Sequence, residues 1–323
     1  MKKIGVFTSG GDAPGMNACI RAVVRNACKN NLEVVGIYNG YDGLVDANLE
    51  TLTTSNVANI IQLGGTILKS SRSKRFRTPD GRKMAYDTIK QHQIDGLVCI
   101  GGDGSYAGAL AFNKEFGVPV VGCPGTIDND IYGTDFTIGF DTAVNTAMQA
   151  IDKIRDTAES HHNVFFVEVM GRHSGYIALY AGLAGGAEMI LMPETKGEFE
   201  KLIEVFENKQ KRKKQFSIII VAEGDEEGNA LQVAAKFKQA FPTSEPKVTV
   251  LGHIQRGGPP SVNDRILASS LGSAAVECLL NNKRQVALGL VNNQLQLTAL
   301  EMAIQEKKEI NPQLIQLAKI LST

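Results

Sequence analysis

Nine short, β-branched apolar runs recur along the chain with longer stretches of helical spacing between them, and this alternation restricts the fold more than any other feature. The runs are KIGVFTS, LEVVGIY, IDGLVCI, VPVVGC, VFFVEVM, MILMP, FSIIIVAEG, KVTVLGHI and QVALGLV. Such runs read as parallel strands buried on both faces. Between the first two, residues 15 to 31 place Met16, Ile20, Val23, Val24 and Ala27 on one helical face. Strands and helices in alternation give an α/β fold with three-layer domains. In folds of this class the loops leaving the carboxyl ends of the strands build the binding site.

At 323 residues the chain exceeds the usual size of one domain, so two compact units are expected. Lys plus Arg equals Asp plus Glu at 34 each, which argues against the broad field of a nucleic-acid or membrane-surface binder. Any phosphate binding is therefore local. The opening MKKIGVFTSGG has a four-residue apolar stretch after its lysines, too short for a signal peptide, and no run approaches bilayer length. Five cysteines, odd in number and without a C-x-x-C pair, read as buried thiols of a cytoplasmic protein.

Three strand-end loops carry the chemistry. TSGGDAPGMN (8 to 17) joins the first strand to the first helix, where Gly10, Gly11 and Gly15 would turn backbone N–H groups toward an anion at a helix N-terminus; a tight turn needing glycine is the plainer reading. IGGDGS (100 to 105) sets Asp103 among glycines, where one carboxylate reaches a metal while bare backbone approaches phosphate, although aspartate in a glycine turn is common. PGTIDND (124 to 130) places Thr126, Asp128 and Asp130 at alternate positions, on one face if the segment stays extended. Neighbouring carboxylates repel, and a base beside an ion ligand justifies that repulsion; the alternative is an Asp/Asn surface turn. Phosphoryl transfer also calls for arginine, whose planar fork matches phosphate. Arg72 and Arg77 lie in SSRSKRFR, Arg172 in EVMGRHSG, and His253 and Arg256 in LGHIQRGG.

With TSGGDAPGMN, IGGDGS, PGTIDND, EVMGR and GHIQRGG in this order, essentially the whole chain resembles the bacterial ATP-dependent 6-phosphofructokinases. The resemblance implies two similar three-layer α/β/α domains with mostly parallel sheets. Residues 1–138 plus about 251–300 would form the ATP-binding domain, and 139–250 plus about 301–323 the domain for fructose 6-phosphate. It also implies a cytoplasmic homotetramer whose subunits share active sites. By the same likeness Gly11, Arg72, Ser73, Gly102, Asp103, Gly104 and Ser105 contact ATP, Arg77 assists with phosphates, and Asp103 serves Mg²⁺. Asp128 takes the proton of the sugar's 1-hydroxyl, Thr126 orients the reacting groups, and Arg172 stabilises the transferring phosphoryl, with Asp130 close to the substrate.

Met170, Gly171, Arg172, Glu223, His253 and Arg256 correspond to the residues that hold fructose 6-phosphate. Arg21, Arg25, Arg155, Gly186, Glu188, Arg212 and Lys214 correspond to an effector site for ADP or phosphoenolpyruvate; a solvated helix end is the other reading of KQKRKK. Pyrophosphate-dependent relatives carry aspartate at the position of Gly104 and lysine at that of Gly125, so glycine at both resembles the ATP users. Two positions depart from the family pattern. Where it has arginines reaching from a neighbouring subunit to the 6-phosphate, this chain has Asn163 and Lys247. Lys247 keeps charge but loses the bidentate fork, and Asn163 loses charge as well. A lost charge-assisted hydrogen bond of about 1.5 to 3 kcal/mol corresponds to roughly tenfold or more in affinity. Weaker sugar binding is expected, or acceptance of another ketose phosphate such as sedoheptulose 7-phosphate, with His161, His162 or Arg75 as compensating cations. A kinase of NAD or a lipid head group is disfavoured by GHIQRGG and EVMGR. A non-catalytic regulatory paralogue is disfavoured because Asp103, Thr126, Asp128, Asp130 and Arg172 are all present.

Overall fold

The computed structural model describes residues 1–161, 164–211 and 217–321. Its first half runs β1 (Lys3–Thr8), α1 (Met16–Lys29), β2 (Glu33–Ile37), α2 (Gly40–Val45), β3 (Leu49–Leu52), α3 (Pro79–Gln91), β4 (Gly96–Gly101), α4 (Asp103–Phe116), β5 (Val120–Pro124) and α5 (Phe140–His161). Next come β6 (Val164–Val169), α6 (Tyr176–Ala184), β7 (Met189–Leu191), α7 (Glu198–Lys211), β8 (Ser217–Ala222), α8 (Ala230–Ala240) and β9 (Lys247–Val250). The chain finishes with α9 (Val262–Leu280), β10 (Val286–Val291), β11 (Gln294–Ala299), α10 (Leu300–Gln305) and α11 (Pro312–Leu321).

Two compact units emerge. Unit 1 comprises Met1–Ile127, Ile131–Thr142 and Arg256–Lys308; unit 2 comprises Asp128–Asp130, Ala143–Gln255 and Glu309–Thr323. Unit 1 holds a seven-stranded sheet in the order β11-β10-β5-β4-β1-β2-β3, parallel from β10 to β2 and closed by antiparallel edges. Unit 2 holds an all-parallel four-stranded sheet, β7-β8-β6-β9.

All nine runs are strands. Central β4, β5 and β8 are buried at every position, which is why they lack polar alternation. β9 departs from the expected two-faced burial: it is an edge strand, with Lys247 and Val250 exposed. The two edge strands of unit 1, LETL and QLQLTA, carry polar residues outward and lack a continuous apolar run. Beside one face of the unit 1 sheet, Phe7, Tyr41, Phe76 and Phe112 pack ring on ring, with centroids 4.0 to 5.2 Å apart. In unit 2, Phe166, Phe206, Phe237 and Phe241 do the same at 4.7 to 5.4 Å. A fully buried ring stabilises by about 1.5–3 kcal/mol, and these clusters hold the sheets from which the site loops leave. All five cysteines are free thiols; Cys28, half-buried, is the exception to the burial expected of them.

Candidate active site

In unit 1 the chain runs from β1 to β2 on one side, then crosses to β4 on the other, so a topological switch lies between β1 and β4. The loops leaving β1, β4 and β5 meet there. Ser9 N–H donates to the Ile100 carbonyl and Gly125 N–H to the Gly101 carbonyl, each at 3.0 Å. A Cβ on Gly102 would stand 3.7 Å from the Cβ of Thr126. Gly102, Asp103, Gly104, Ser105 and Thr126 are thereby brought together, and a Cβ on Gly10, the neighbour of Gly11, would lie 3.5 Å from the Ser105 hydroxyl.

Gly102 caps α4 and Asp103 opens it, exposed, accepting the Gly104 N–H on Oδ1 at 2.6 Å. The N-terminus of this 14-residue helix is the positive end of its dipole, suited to a phosphate. A Cβ at Gly104 would meet no heavy atom within 4 Å, so bare backbone faces open space. Ser105 is buried behind it.

Arg256 donates from Nη1 to the Asp12 carbonyl at 3.0 Å and lies 2.8 Å from where a Gly11 Cβ would be. A guanidinium thus covers the β1–α1 loop. One expectation for that loop is corrected: the Gly10 N–H donates to the Ser71 carbonyl at 3.2 Å, so this amide does not face an anion. The cause is segment 69–73, which also takes the Thr8 hydroxyl on the Lys69 carbonyl and gives the Ser70 hydroxyl to the Gly10 carbonyl.

Ser73 is buried and donates to Asp42 Oδ1 at 2.5 Å, while Arg72 and Arg77 are exposed. Asp42 has no motif around it and was not a candidate from sequence, yet it fixes both Ser71 and Ser73. Arg75 is held by Asp46 through bonds of 2.7 and 2.6 Å and by Asp42 at 3.3 Å, which occupies a cation that had been a compensating candidate.

The chain crosses into unit 2 between Ile127 and Asp128. Thr126, Asp128 and Asp130 do not share one extended face. β5 stops at Pro124, the backbone bends at Ile127 and Asp128, and Asn129 takes a left-handed φ of 53°. The reason is burial: Ile127, Asp128 and Asn129 are consecutive interior residues, a pattern that a half-exposed strand does not allow. Asp128 is 4 % exposed and Asp130 is exposed.

In unit 2 the loops after β6, β8 and β9 lie together, tied by Glu223 N–H to the Val169 carbonyl at 3.0 Å and Leu251 N–H to the Glu168 carbonyl at 3.1 Å. The β6 loop makes a tight turn, closed by Ser174 N–H on the Gly171 carbonyl at 2.9 Å. Gly171 has φ 142° and Arg172 the left-handed φ of 54°, uncommon for a side chain of this size. Two contacts hold that conformation. Arg172 N–H donates to Glu223 Oε1 at 2.8 Å, and Gly224 packs so closely that a Cβ there would lie 1.6 Å from the Arg172 carbonyl oxygen.

The turn returns to Asp128 at two points. Ser174 donates its hydroxyl to the Asp128 carbonyl at 2.8 Å, and Arg172 Nε lies 3.9 Å from Asp128 Oδ2. Ser174 is a second residue that motif reading passed over. Met170 is buried and donates its N–H to Gln255 at 3.4 Å, while His253 is exposed. Glu194 accepts the Gly175 N–H on both oxygens, and burial raises its pKa above the ordinary carboxylate value.

Of the residues matched to an effector site, Arg21 is half-buried and Arg25 exposed on α1. In unit 2, Arg155 donates to the carbonyls of Gly185 and Gly186, and buried Glu188 accepts the Ile218 N–H at 2.6 Å. Asn163, Arg212, Lys214 and His162 lie outside the described residues.

Known proteins share this sequence pattern and fold. The profile of the phosphofructokinase family matches residues 3–279. The chain is 55 % identical over 322 residues to ATP-dependent 6-phosphofructokinase 1 of Thermus thermophilus, covering 100 % of both chains. It superposes on the phosphofructokinase of Saccharomyces cerevisiae with a TM-score of 0.90 and 34 % identity, covering 100 % of this chain and 48 % of that longer one. A pyrophosphate-dependent phosphofructokinase from Marinobacter aquaeolei follows at 0.84 and 26 %, with 97 % of this chain and 86 % of that one covered. The chain belongs to the phosphofructokinase family.

Proposed function

We propose that this protein transfers the γ-phosphoryl group of ATP to the 1-hydroxyl of D-fructose 6-phosphate, giving fructose 1,6-bisphosphate and ADP in glycolysis. The observation that carries the reading is a buried carboxylate, Asp128, with the Arg172 guanidinium beside it on a turn built to hold both. A carboxylate so placed accepts the hydroxyl proton as the oxygen attacks, and general-base help of this kind is worth roughly 10²–10⁴-fold. The neighbouring guanidinium supports charge spreading over the transferring phosphoryl.

Donor-side groups come from unit 1. The glycine backbone of 102 to 104, the α4 N-terminus, Gly11, Ser105, Arg72, Ser73 and Arg77 bind ATP, and Thr126 orients the reacting groups. Open space over Gly104 favours ATP over pyrophosphate, because an aspartate there would repel and obstruct the α-phosphate. Among the described residues no three His, Cys, Asp or Glu side chains converge on a metal. Mg²⁺ takes one or two carboxylates plus phosphate oxygens and water, and exposed Asp103 is the residue that would hold it. When bound, it would neutralise phosphate charge.

Acceptor-side groups come from unit 2 apart from Arg256. Met170, Gly171, Arg172, Glu223, His253, Arg256 and Lys247 bind the sugar phosphate, joined by Asp130, and Asn163 belongs to the same set by position. Glu223, an acceptor-only group at a strand end, suits sugar hydroxyls. Arg21, Arg25, Arg155, Gly186 and Glu188, with Arg212 and Lys214, form a site for ADP or phosphoenolpyruvate in a homotetramer. Among the described residues no helix is long and apolar enough to cross a membrane.

The test is ATP-dependent phosphorylation of fructose 6-phosphate by the wild type and by Asp128→Asn, with pyrophosphate and sedoheptulose 7-phosphate as controls. Wild-type turnover with ATP that collapses in the variant is expected. Preference for sedoheptulose 7-phosphate would change the assigned substrate; no turnover on either sugar would reduce the protein to a regulatory relative.

A further inference from the structure

Asp264 is the most heavily engaged buried carboxylate of unit 1 and none of the roles above uses it. It sits in the first turn of α9, 1 % exposed, with its own N–H received by the Ser261 hydroxyl at 3.2 Å. Apart from the Ser261 hydroxyl, which donates to Oδ2 at 3.5 Å, its side-chain partners lie on Gly139 and Thr142. Oδ1 accepts the Gly139 N–H at 2.7 Å; Oδ2 accepts the Thr142 N–H at 2.8 Å and the Thr142 hydroxyl at 2.5 Å. The Thr142 hydroxyl in turn accepts the Ser261 N–H at 2.9 Å, so α9 and the start of α5 are cross-linked from both sides.

The segment that Asp264 grips is the one that backs Thr126. Ile138 N–H donates to the Pro124 carbonyl at 2.8 Å, the Thr137 hydroxyl donates to the Thr126 carbonyl at 2.6 Å, and Gly125 pairs with Ile138 as an isolated bridge. The same segment lies against the β1–α1 loop. A Cβ on Gly139, which holds φ 101°, would come within 2.6 Å of Ala13, and one on Gly15 within 2.7 Å of Ile138. No slack exists on either side. A carboxylate with no cation among the partners described for it is expensive to bury, and capping one helix can be done by an exposed serine or aspartate. What burial adds is rigidity across three elements.

We infer that Asp264 is a positioning residue for phosphoryl transfer, holding segment 137–142 so that Thr137 fixes the Thr126 backbone and Ile138–Gly139 fix the floor of the β1–α1 loop. The inference rests on the proposed kinase reading for its effect on rate; its structural half does not. Asparagine at 264 would keep the shape but turn an N–H₂ toward the Gly139 or Thr142 N–H, leaving a donor facing a donor. A displacement near 1 Å of a group that orients reactants lowers rate by up to about 10²-fold.

The experiment measures Asp264→Asn, Thr142→Val, Thr142→Ser and Thr137→Val in the full chain. The expected result is a kcat reduced by roughly 10- to 100-fold in Asp264→Asn and Thr142→Val, with the KM for fructose 6-phosphate within about twofold of wild type and Thr142→Ser close to wild type. Asp264→Asn combined with Thr137→Val should lose less than the product of the two single losses, since both act through Thr126. Amide hydrogen exchange, which needs no turnover, should quicken at 124–126 as well as at 137–142 in Asp264→Asn. Wild-type kcat in the folded variant, or exchange quickened only at 139–142, would overturn the inference. If the wild type does not phosphorylate fructose 6-phosphate, the kinase reading fails, and the exchange at 124–126 still decides whether Asp264 holds that loop.

Discussion

Arg172 Nε stands 3.9 Å from Asp128 Oδ2, with the aspartate side chain 6 % exposed and the arginine side chain 43 % exposed. The carboxylate lies in the interior while the guanidinium reaches outward. At this distance the pair is an electrostatic neighbour more than a tight ion pair. Arg172→Ala should therefore fold normally and lose about 10²- to 10³-fold in kcat, as removal of a preorganised stabilising donor does. Steady-state kinetics with circular dichroism checks this, and a loss confined to the KM for sugar would assign Arg172 to binding alone.

Gly224 sets the conformation of that turn. A methyl group there would lie 1.6 Å from the Arg172 carbonyl oxygen, so Gly224→Ala must push residues 171–175 away from Glu223. Overpacking of this kind costs about 1–3 kcal/mol, and the displaced turn carries Arg172 and Ser174 with it. We expect a lower Tm together with a fall in kcat. Gly117→Ala, where a Cβ would meet nothing within 4 Å, serves as the comparison, with a loss in Tm alone from its left-handed φ of 70°.

Strand periodicity in the sequence was strong wherever a strand lies inside a sheet, because burial on both faces removes polar residues from β4, β5 and β8. It failed at LETL and QLQLTA, where an edge strand keeps its polar side chains in water. The candidate site was legible where glycine stands beside a charged residue at the end of a strand, as at Asp103 and Arg172. It was illegible where a residue acts through backbone geometry. Ser174 meets Asp128 across 46 positions and Asp264 meets Thr142 across 122, and no local pattern encodes either pairing.

Lys247 opens β9 at an exposed edge, in register with Phe165. If it serves the 6-phosphate with a single ammonium, then Lys247→Ala should raise the KM for fructose 6-phosphate by roughly tenfold, the loss of one charge-assisted bond. Lys247→Arg should lower it below wild type by restoring the planar fork. Titrations at two ionic strengths separate a phosphate contact from a general field effect. A KM insensitive to both changes would remove Lys247 from the sugar site.

Gly104 offers the cleanest test of donor choice. Because its Cβ would point into open space, Gly104→Asp should alter stability by no more than about 0.5 kcal/mol. The new carboxylate would stand next to Asp103 and beside the bound triphosphate, so the KM for ATP should rise more than tenfold, roughly 1.4 kcal/mol or greater, while that for the sugar holds. An unchanged KM for ATP would show that the open space over Gly104 does not receive the nucleotide phosphates.

Burial raises the pKa of Asp264 from 3.8 to about 6, against the pull of the Thr142 hydroxyl and two backbone N–H groups; Asp141 adds to the rise. The folded state therefore binds this proton more tightly than the unfolded chain does. Stability from that difference is fully present below about pH 4 and is lost as pH rises through about 6, a change of at most about 3 kcal/mol for a shift near two units. Exposed carboxylates with lowered pKa values, such as Asp46 and Glu115 beside their arginines, work in the opposite direction across lower pH. Absolute stability mixes the two, so the quantity to measure is the difference between wild type and Asp264→Asn in urea unfolding at pH 4, 5, 6 and 7. We expect the wild type to lose ground to the variant between pH 4 and 6 and the gap to level off by pH 7. A difference independent of pH would mean that Asp264 keeps an ordinary carboxylate pKa, its hydrogen bonds from Gly139, Thr142 and Ser261 outweighing its burial.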